Sequence, residues 1–105
     1  MHPKPGEVWL ADLGMVAKTR PVIVVSRYDD DPPRALVIYV PLTSQDRGSD
    51  YEVEMPSLPF LRLDGVANIQ GIGSIPTARL ERRLGVLSAE VMERIKNALR
   101  YALDL

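Results

Sequence analysis

Val22-Ile23-Val24-Val25 places four β-branched residues in a row. Branching at Cβ stiffens χ1 in a way that suits a pleated strand and works against a helix. The run is apolar at every position rather than every second one, which predicts a strand buried on both faces. Arg20-Pro21 opens that strand and Ser26 closes it. Proline has no amide proton to give a ladder, so Pro21 is expected among the strand's first residues. A strand covered on both sides needs neighbours at its edges and layers above and below. Only 105 residues are available to supply them, which predicts one domain spanning residues 1–105.

The rest of the chain reads as further short strands and one helix. Glu7 to Leu13 is a strand ending at Gly14, and Met15 to Thr19 is a short loop. Asp29 to Pro33 is a turn-rich connector of the kind that joins antiparallel strands. Leu36 to Val40 forms a third strand that runs into Pro41-Leu42-Thr43-Ser44, and Gln45 to Asp50 is polar loop. Tyr51 to Met55 alternates with period two, which puts Glu52 and Glu54 together on a wet face. After a proline-interrupted connection from Pro56 to Asp64, Gly65 to Gln70 reads as a fifth strand. A kink at Gly71-Ile72-Gly73 and Ser74-Ile75-Pro76 then lead to a short helix, Thr77 to Arg82.

The chain closes on its clearest element. Ser88 suits an N-cap, because its hydroxyl can accept from a free amide of the first turn. Behind it Val91, Ile95, Ala98, Leu99, Ala102 and Leu103 recur at helical spacing on one face. Glu90 and Glu93 come early and Arg94, Lys96 and Arg100 late, as the helix dipole favours. The expected fold is mostly β with one C-terminal helix: a small curled antiparallel sheet or half-open barrel with the helix packed on it.

Composition removes whole classes of chemistry. The chain has no cysteine and one histidine, His2, so disulfides, thiol catalysis, cysteine metal sites and a two-histidine acid–base pair are excluded within one chain. A net charge of −1 speaks against a protein that coats nucleic acid through a broad basic stripe. The N-terminus lacks a signal-peptide core and no apolar run is long enough to span a bilayer, which predicts a cytoplasmic protein. No phosphate-cradling loop with lysine, nucleophile elbow or metalloprotease helix motif is present.

Several polar residues remain as candidates. Arg20 precedes a buried strand, so its backbone is fixed while its five-donor guanidinium is free either to grip a phosphate or to form a surface ion pair. Thr43, Ser44 and Gln45 follow an apolar strand and can donate to phosphate or ribose oxygens, or equally to their own backbone. Asn68 and Gln70, two apart in the expected fifth strand, share a face there. Trp9 reads as a core or interface anchor. Arg79, Arg82 and Arg83 read either as a phosphate track or as a solvated face paired with acids.

Taken in order, these segments resemble a known family. Gly6-Glu7-Val8-Trp9-Leu10-Ala11-Asp12-Leu13, Lys18-Thr19-Arg20-Pro21-Val22-Ile23-Val24-Val25-Ser26 and Val40-Pro41-Leu42-Thr43-Ser44 are similar to the opening motifs of the MazF/PemK toxins. The close of the chain, from Ile75 through Arg83-Leu84-Gly85-Val86-Leu87-Ser88 and the helix, is similar as well. The resemblance implies an SH3-like, plasmid-maintenance-toxin barrel of about five to seven strands. It also implies a homodimer that cuts single-stranded RNA at short sequences without a metal or other cofactor, and an antitoxin that covers the RNA groove. By the same resemblance Arg20 and Thr43 are catalytic, and Lys18, Thr19, Ser44, Gln45, Asn68 and Gln70 contact RNA. Where many relatives carry an acidic residue on the late strand, this chain has Gln70, so a mechanism needing that carboxylate cannot operate. A same-fold alternative, the gyrase-binding toxins, relies on a tryptophan in a C-terminal tail, whereas this chain ends Ala102-Leu103-Asp104-Leu105.

Overall fold

The computed structural model describes residues 2–14, 18–61 and 65–105. Among them are seven strands: β1 (Glu7–Gly14), β2 (Lys18–Val24), β3 (Leu36–Thr43), β4 (Glu52–Glu54), β5 (Val66–Asn68), β6 (Gly73–Pro76) and β7 (Leu80–Val86). One helix follows, α1 (Ala89–Leu103). The strands pair antiparallel in the order β4-β5-β3-β2-β1-β7, with β6 attached to β3. The expected half-open barrel is present as an unclosed sheet: β6 and β7 are joined by a 3-10 turn, Thr77–Arg79, and are not paired with each other.

The β-branched run explains why the sheet can be packed on both sides. In β2, Ile23 points into one core with Val8, Val40, Ala67 and Ile95. Its neighbours Val22 and Val24 point the other way, into a second core with Ala11, Val37, Ile75 and Leu80. Successive strand side chains alternate faces, so one uninterrupted apolar run serves two cores. The first core lies under α1; the second is enclosed by the curl of β7, β1, β2, β3 and β6.

Helix α1 begins as the sequence predicts. Ser88 Oγ accepts from the Val91 amide at 3.2 Å, and the chain leaves the helix through Asp104 in the left-handed conformation (φ 56°). Val91, Met92 and Ile95 are its buried residues. The buried stripe therefore includes Met92, which the expected pattern omits, whereas Leu103 is 49% exposed. Ala98, Leu99 and Ala102 still pack against the first core, so of the expected stripe only Leu103, the helix's last residue, lies largely in solvent.

Four expectations need correction. Lys18 and Thr19 belong to β2 rather than to a loop, while Met15–Ala17 lie outside the described residues, as do Arg62–Asp64 of the later connection. Pro21 falls in the middle of β2, opposite Leu10 of β1, and pairing of β2 with β3 begins only at Val22. The missing proton is tolerated because Pro21 stands where the second ladder has not started. The fifth strand stops at Asn68, and Ile69–Gly71 turns as a 3-10 segment. Finally, the helix expected over Thr77–Arg82 is only the turn Thr77–Arg79, and Leu80 starts β7. Glu81, Arg82 and Arg83 are all exposed, so this edge strand lacks the alternation by which strands are recognised.

Candidate active site

The pairing of the central strands decides which side chains meet. β2 and β3 pair Val22 with Pro41, Ile23 with Val40 and Val24 with Tyr39. Residues directly opposite in an antiparallel pair share a face. The ladder ends at Val22 and Pro41; by alternation along each strand Arg20 lies on the same side as Val22, and Thr43 on the same side as Pro41. β3 then pairs Thr43 with Val66 of β5, and β5 pairs Val66 with Glu54 and Asn68 with Glu52 of β4. Arg20, Thr43, Asn68 and Glu52 therefore share one face across four strands.

Small residues let these strands come together. A side chain on Gly65 would stand 2.6 Å from the Thr43 carbonyl oxygen, and one on Gly71 would stand 2.7 Å from Pro41 Cγ and 3.0 Å from Asn68 Nδ2. The turn after β5 thus lies directly on the end of β3. Pro21, Leu42, Thr43, Met55, Leu61 and Gly65 enclose a small hollow of about 10 Å³ where β2 and β3 part. That volume is at the threshold for a single water, so the parting of the strands is filled by side chains.

On the shared face an open cleft of about 300 Å³ is lined by Thr43, Gln45, Arg47, Ser49, Glu52, Asn68, Gln70 and Gly71. Of the residues singled out in the sequence, the structure brings Thr43, Gln45, Asn68 and Gln70 together here. Asn68 and Gln70 do not share a strand face, because the strand ends between them, yet both reach the cleft through the 3-10 turn. Arg20 is exposed and stands on the same face without lining the cleft. Ser44 turns instead into a neighbouring hollow of about 350 Å³ with Asp46 and Glu54. Thr19 alternates to the face opposite Arg20, paired with Asp12.

Four cleft residues were not legible as site residues: Arg47, Ser49, Glu52 and Gly71. The Glu52 carboxylate accepts from the Arg47 amide at 3.0 Å, the Ser49 amide at 2.9 Å and Ser49 Oγ at 2.9 Å. These bonds hold its pKa below the ordinary value of 4.5, the Arg47 and Ser49 amides being the leading causes. The signal was the Ser49-x-x-Glu52 spacing, the pattern by which a hydroxyl and a carboxylate three apart exchange bonds with nearby amides. Period-two alternation had marked Glu52 only as solvent-facing.

Charge in the cleft is mixed, since Arg47 lines it together with Glu52, while Asp46 and Glu54 make the hollow beyond Ser44 acidic. Among the described residues no three His, Cys, Asp or Glu side chains gather in a way that could hold a metal ion. Elsewhere, Arg83 pairs with Glu7 at 3.5 Å, and the Trp9 indole donates to Glu7 Oε1 at 3.1 Å. Trp9 is thereby a partly buried anchor of the second core. No helix of the described residues is long and apolar enough to cross a membrane.

Comparison with known proteins gives one consistent result. Residues 4–103 match the family described as PemK-like, MazF-like toxin of type II toxin–antitoxin systems. The chain is 35% identical over 104 residues to the probable endoribonuclease MazF5 of Mycobacterium tuberculosis, covering 97% of this chain and 94% of that one. A mycobacterial endoribonuclease solved in complex with its cognate antitoxin superposes with a TM-score of 0.85 at 30% identity, covering 98% of this chain and 96% of that one. The Mycobacterium tuberculosis toxin MazF-mt6 superposes with a TM-score of 0.82 at 28% identity, covering 94% and 97%.

Proposed function

The chain belongs to the PemK-like, MazF-like toxins of type II toxin–antitoxin systems, and on that basis we propose that it is a metal-independent endoribonuclease cutting single-stranded RNA at short sequences. The observation that supports the reading is that Thr43 lies in an amide-lined cleft, with the exposed Arg20 on the same side of the neighbouring strand by alternation. Cleavage of messages by such an enzyme stops translation and growth.

The substrate supplies its own nucleophile. The ribose 2′-oxygen attacks the adjacent phosphorus, the P–O5′ bond breaks, and the products are a 2′,3′-cyclic phosphate and a 5′-hydroxyl. The 2′ proton leaves to solvent, and O5′ takes up a proton. What the protein must provide is position and stabilisation of the charge on the five-coordinate phosphorane. A guanidinium keeps its charge at every physiological pH and matches phosphate oxygens with a fork of donors. Arg20 takes that role, and the Thr43 hydroxyl donates to the same phosphate. Arg20 is not a general base, because a guanidinium offers donors and no acceptor.

Gln45, Asn68 and Gln70 supply amide donors and acceptors for base edges, as single-stranded RNA recognition requires. The working form is a homodimer in the cytoplasm. Leu36 and Ile38, each 44% exposed on β3, are apolar surface consistent with a second copy. The antitoxin covers the cleft and blocks RNA. The test is end-mapped cleavage of a long mixed-sequence RNA in chelator. Cuts at a recurring short motif, lost in Arg20→Ala, support the reading; no cuts by folded wild-type protein refute it.

A further inference from the structure

The loop between β3 and β4, residues 44–51, carries Gln45 and Arg47 into the cleft, and its described main-chain bonds lie only at its far end, where the Glu52 amide donates to the Ser49 carbonyl at 3.2 Å and the Ile69 amide to the Tyr51 carbonyl at 2.9 Å. Its amides go to side chains. The Gln45 amide donates to Thr43 Oγ1 at 3.2 Å, and the Gly48 amide donates to Asp46 Oδ1 at 2.8 Å. The Arg47 and Ser49 amides donate to Glu52, and Ser49 Oγ both donates to Glu52 and accepts from the Tyr51 amide at 3.2 Å. Two strand side chains thus hold the loop's amides: Thr43 at its start and Glu52 at its end.

We propose that Glu52 is a positioning residue for RNA recognition, fixing the loop so that Gln45 and Arg47 present a single arrangement to the bases. This rests on the ribonuclease reading above. An acidic side chain lining a cleft for a polyanion is otherwise a liability. Here both carboxylate oxygens are taken, Oε1 by two donors from Ser49 and Oε2 by the Arg47 amide. Charge-assisted bonds of this kind are the strong ones, and they direct the negative charge into the loop and away from the substrate. The opposing strand adds nothing that competes, since the residue paired with Glu52 across β5 is the neutral Asn68. Glu52 does not touch the reacting phosphate, so its loss should change which RNA is held and how well, leaving the chemical step intact.

Glu52→Gln keeps the shape but turns one acceptor into an NH₂ that faces the Arg47 N–H; Glu52→Ala removes both acceptors. The experiment measures kcat, KM and the cleavage-site distribution on a randomised single-stranded RNA for the full-length wild type and both variants. Binding of the same RNA in the non-cutting Arg20→Ala background is measured alongside, and melting confirms the fold. The expected result is a KM and dissociation constant raised about 5- to 50-fold, a relaxed cleavage motif and kcat within about 2-fold, larger for alanine than for glutamine. An unchanged KM and motif in both folded variants overturns the proposal, as does a loss of kcat with KM unchanged. If the wild type neither cuts nor binds RNA, the ribonuclease reading falls and this proposal with it; if the wild type does both and the variants match it, only the role of Glu52 falls.

Discussion

The ring of Phe60 lies against Gly85 so closely that a Cβ at that position would overlap it. Phe60 belongs to the connection between β4 and β5, and Gly85 is the next-to-last residue of β7. The contact straps that connection over the edge of the sheet, next to the first core. Glycine is needed here for space, not for an unusual backbone angle.

Gly85→Ala is accordingly expected to destabilise the fold by about 1–3 kcal/mol, the usual cost of forcing a methyl into a packed site. Chemical denaturation checks this, and the companion change Phe60→Leu should recover part of the loss. A variant as stable as wild type would mean that the ring swings aside freely.

The helix cap gives a second expectation. Ser88→Ala removes the acceptor for the Val91 amide and should cost about 1 kcal/mol. For a domain of this size that corresponds to a melting temperature lower by about 4–8 °C. Glycine in its place should cost only a few tenths of a kcal/mol.

Glu52 predicts a pH dependence with a definite sign. Its folded pKa lies below the ordinary value of 4.5, so the folded state favours the carboxylate. The stability this contributes is fully present above the unfolded value and is lost as pH falls through the folded one. Between about pH 5 and pH 3 the wild type should therefore lose more stability than Glu52→Gln, which has no proton to gain there. Melting curves across that range test it, and parallel curves for the two proteins would contradict it.

Much of this fold was legible because its central signals are local. The β-branched run from Val22 gave the buried strand, and Ser88 with its apolar repeat gave the helix. β7 escaped because an edge strand with three exposed charged residues in a row has no alternation to read. The site was legible in part. Thr43 and Gln45 stood out as polar residues at a strand's exit and Asn68 as an amide within an apolar strand, but their meeting is a matter of register across β3, β5 and β4, which short strands do not encode locally. Glu52 was hidden for another reason: its period placed it at the solvent, and only the closed loop shows that its carboxylate is spent on backbone amides.

The central claim is that Arg20 and Thr43 act on one phosphate from the same side of β2 and β3. Single-turnover cleavage of one defined RNA in chelator, with wild type, Arg20→Ala, Thr43→Val and the double variant, tests it most directly. Arg20→Ala should lose about 10²–10³-fold or more in rate, as expected for removing a donor that stabilises transition-state charge. Its melting temperature should hardly move, because the side chain is exposed. The double variant should be much less impaired than the product of the two single losses, as befits groups acting as a unit. Cleavage by Arg20→Ala at close to the wild-type rate, or strictly multiplicative losses, would contradict the account.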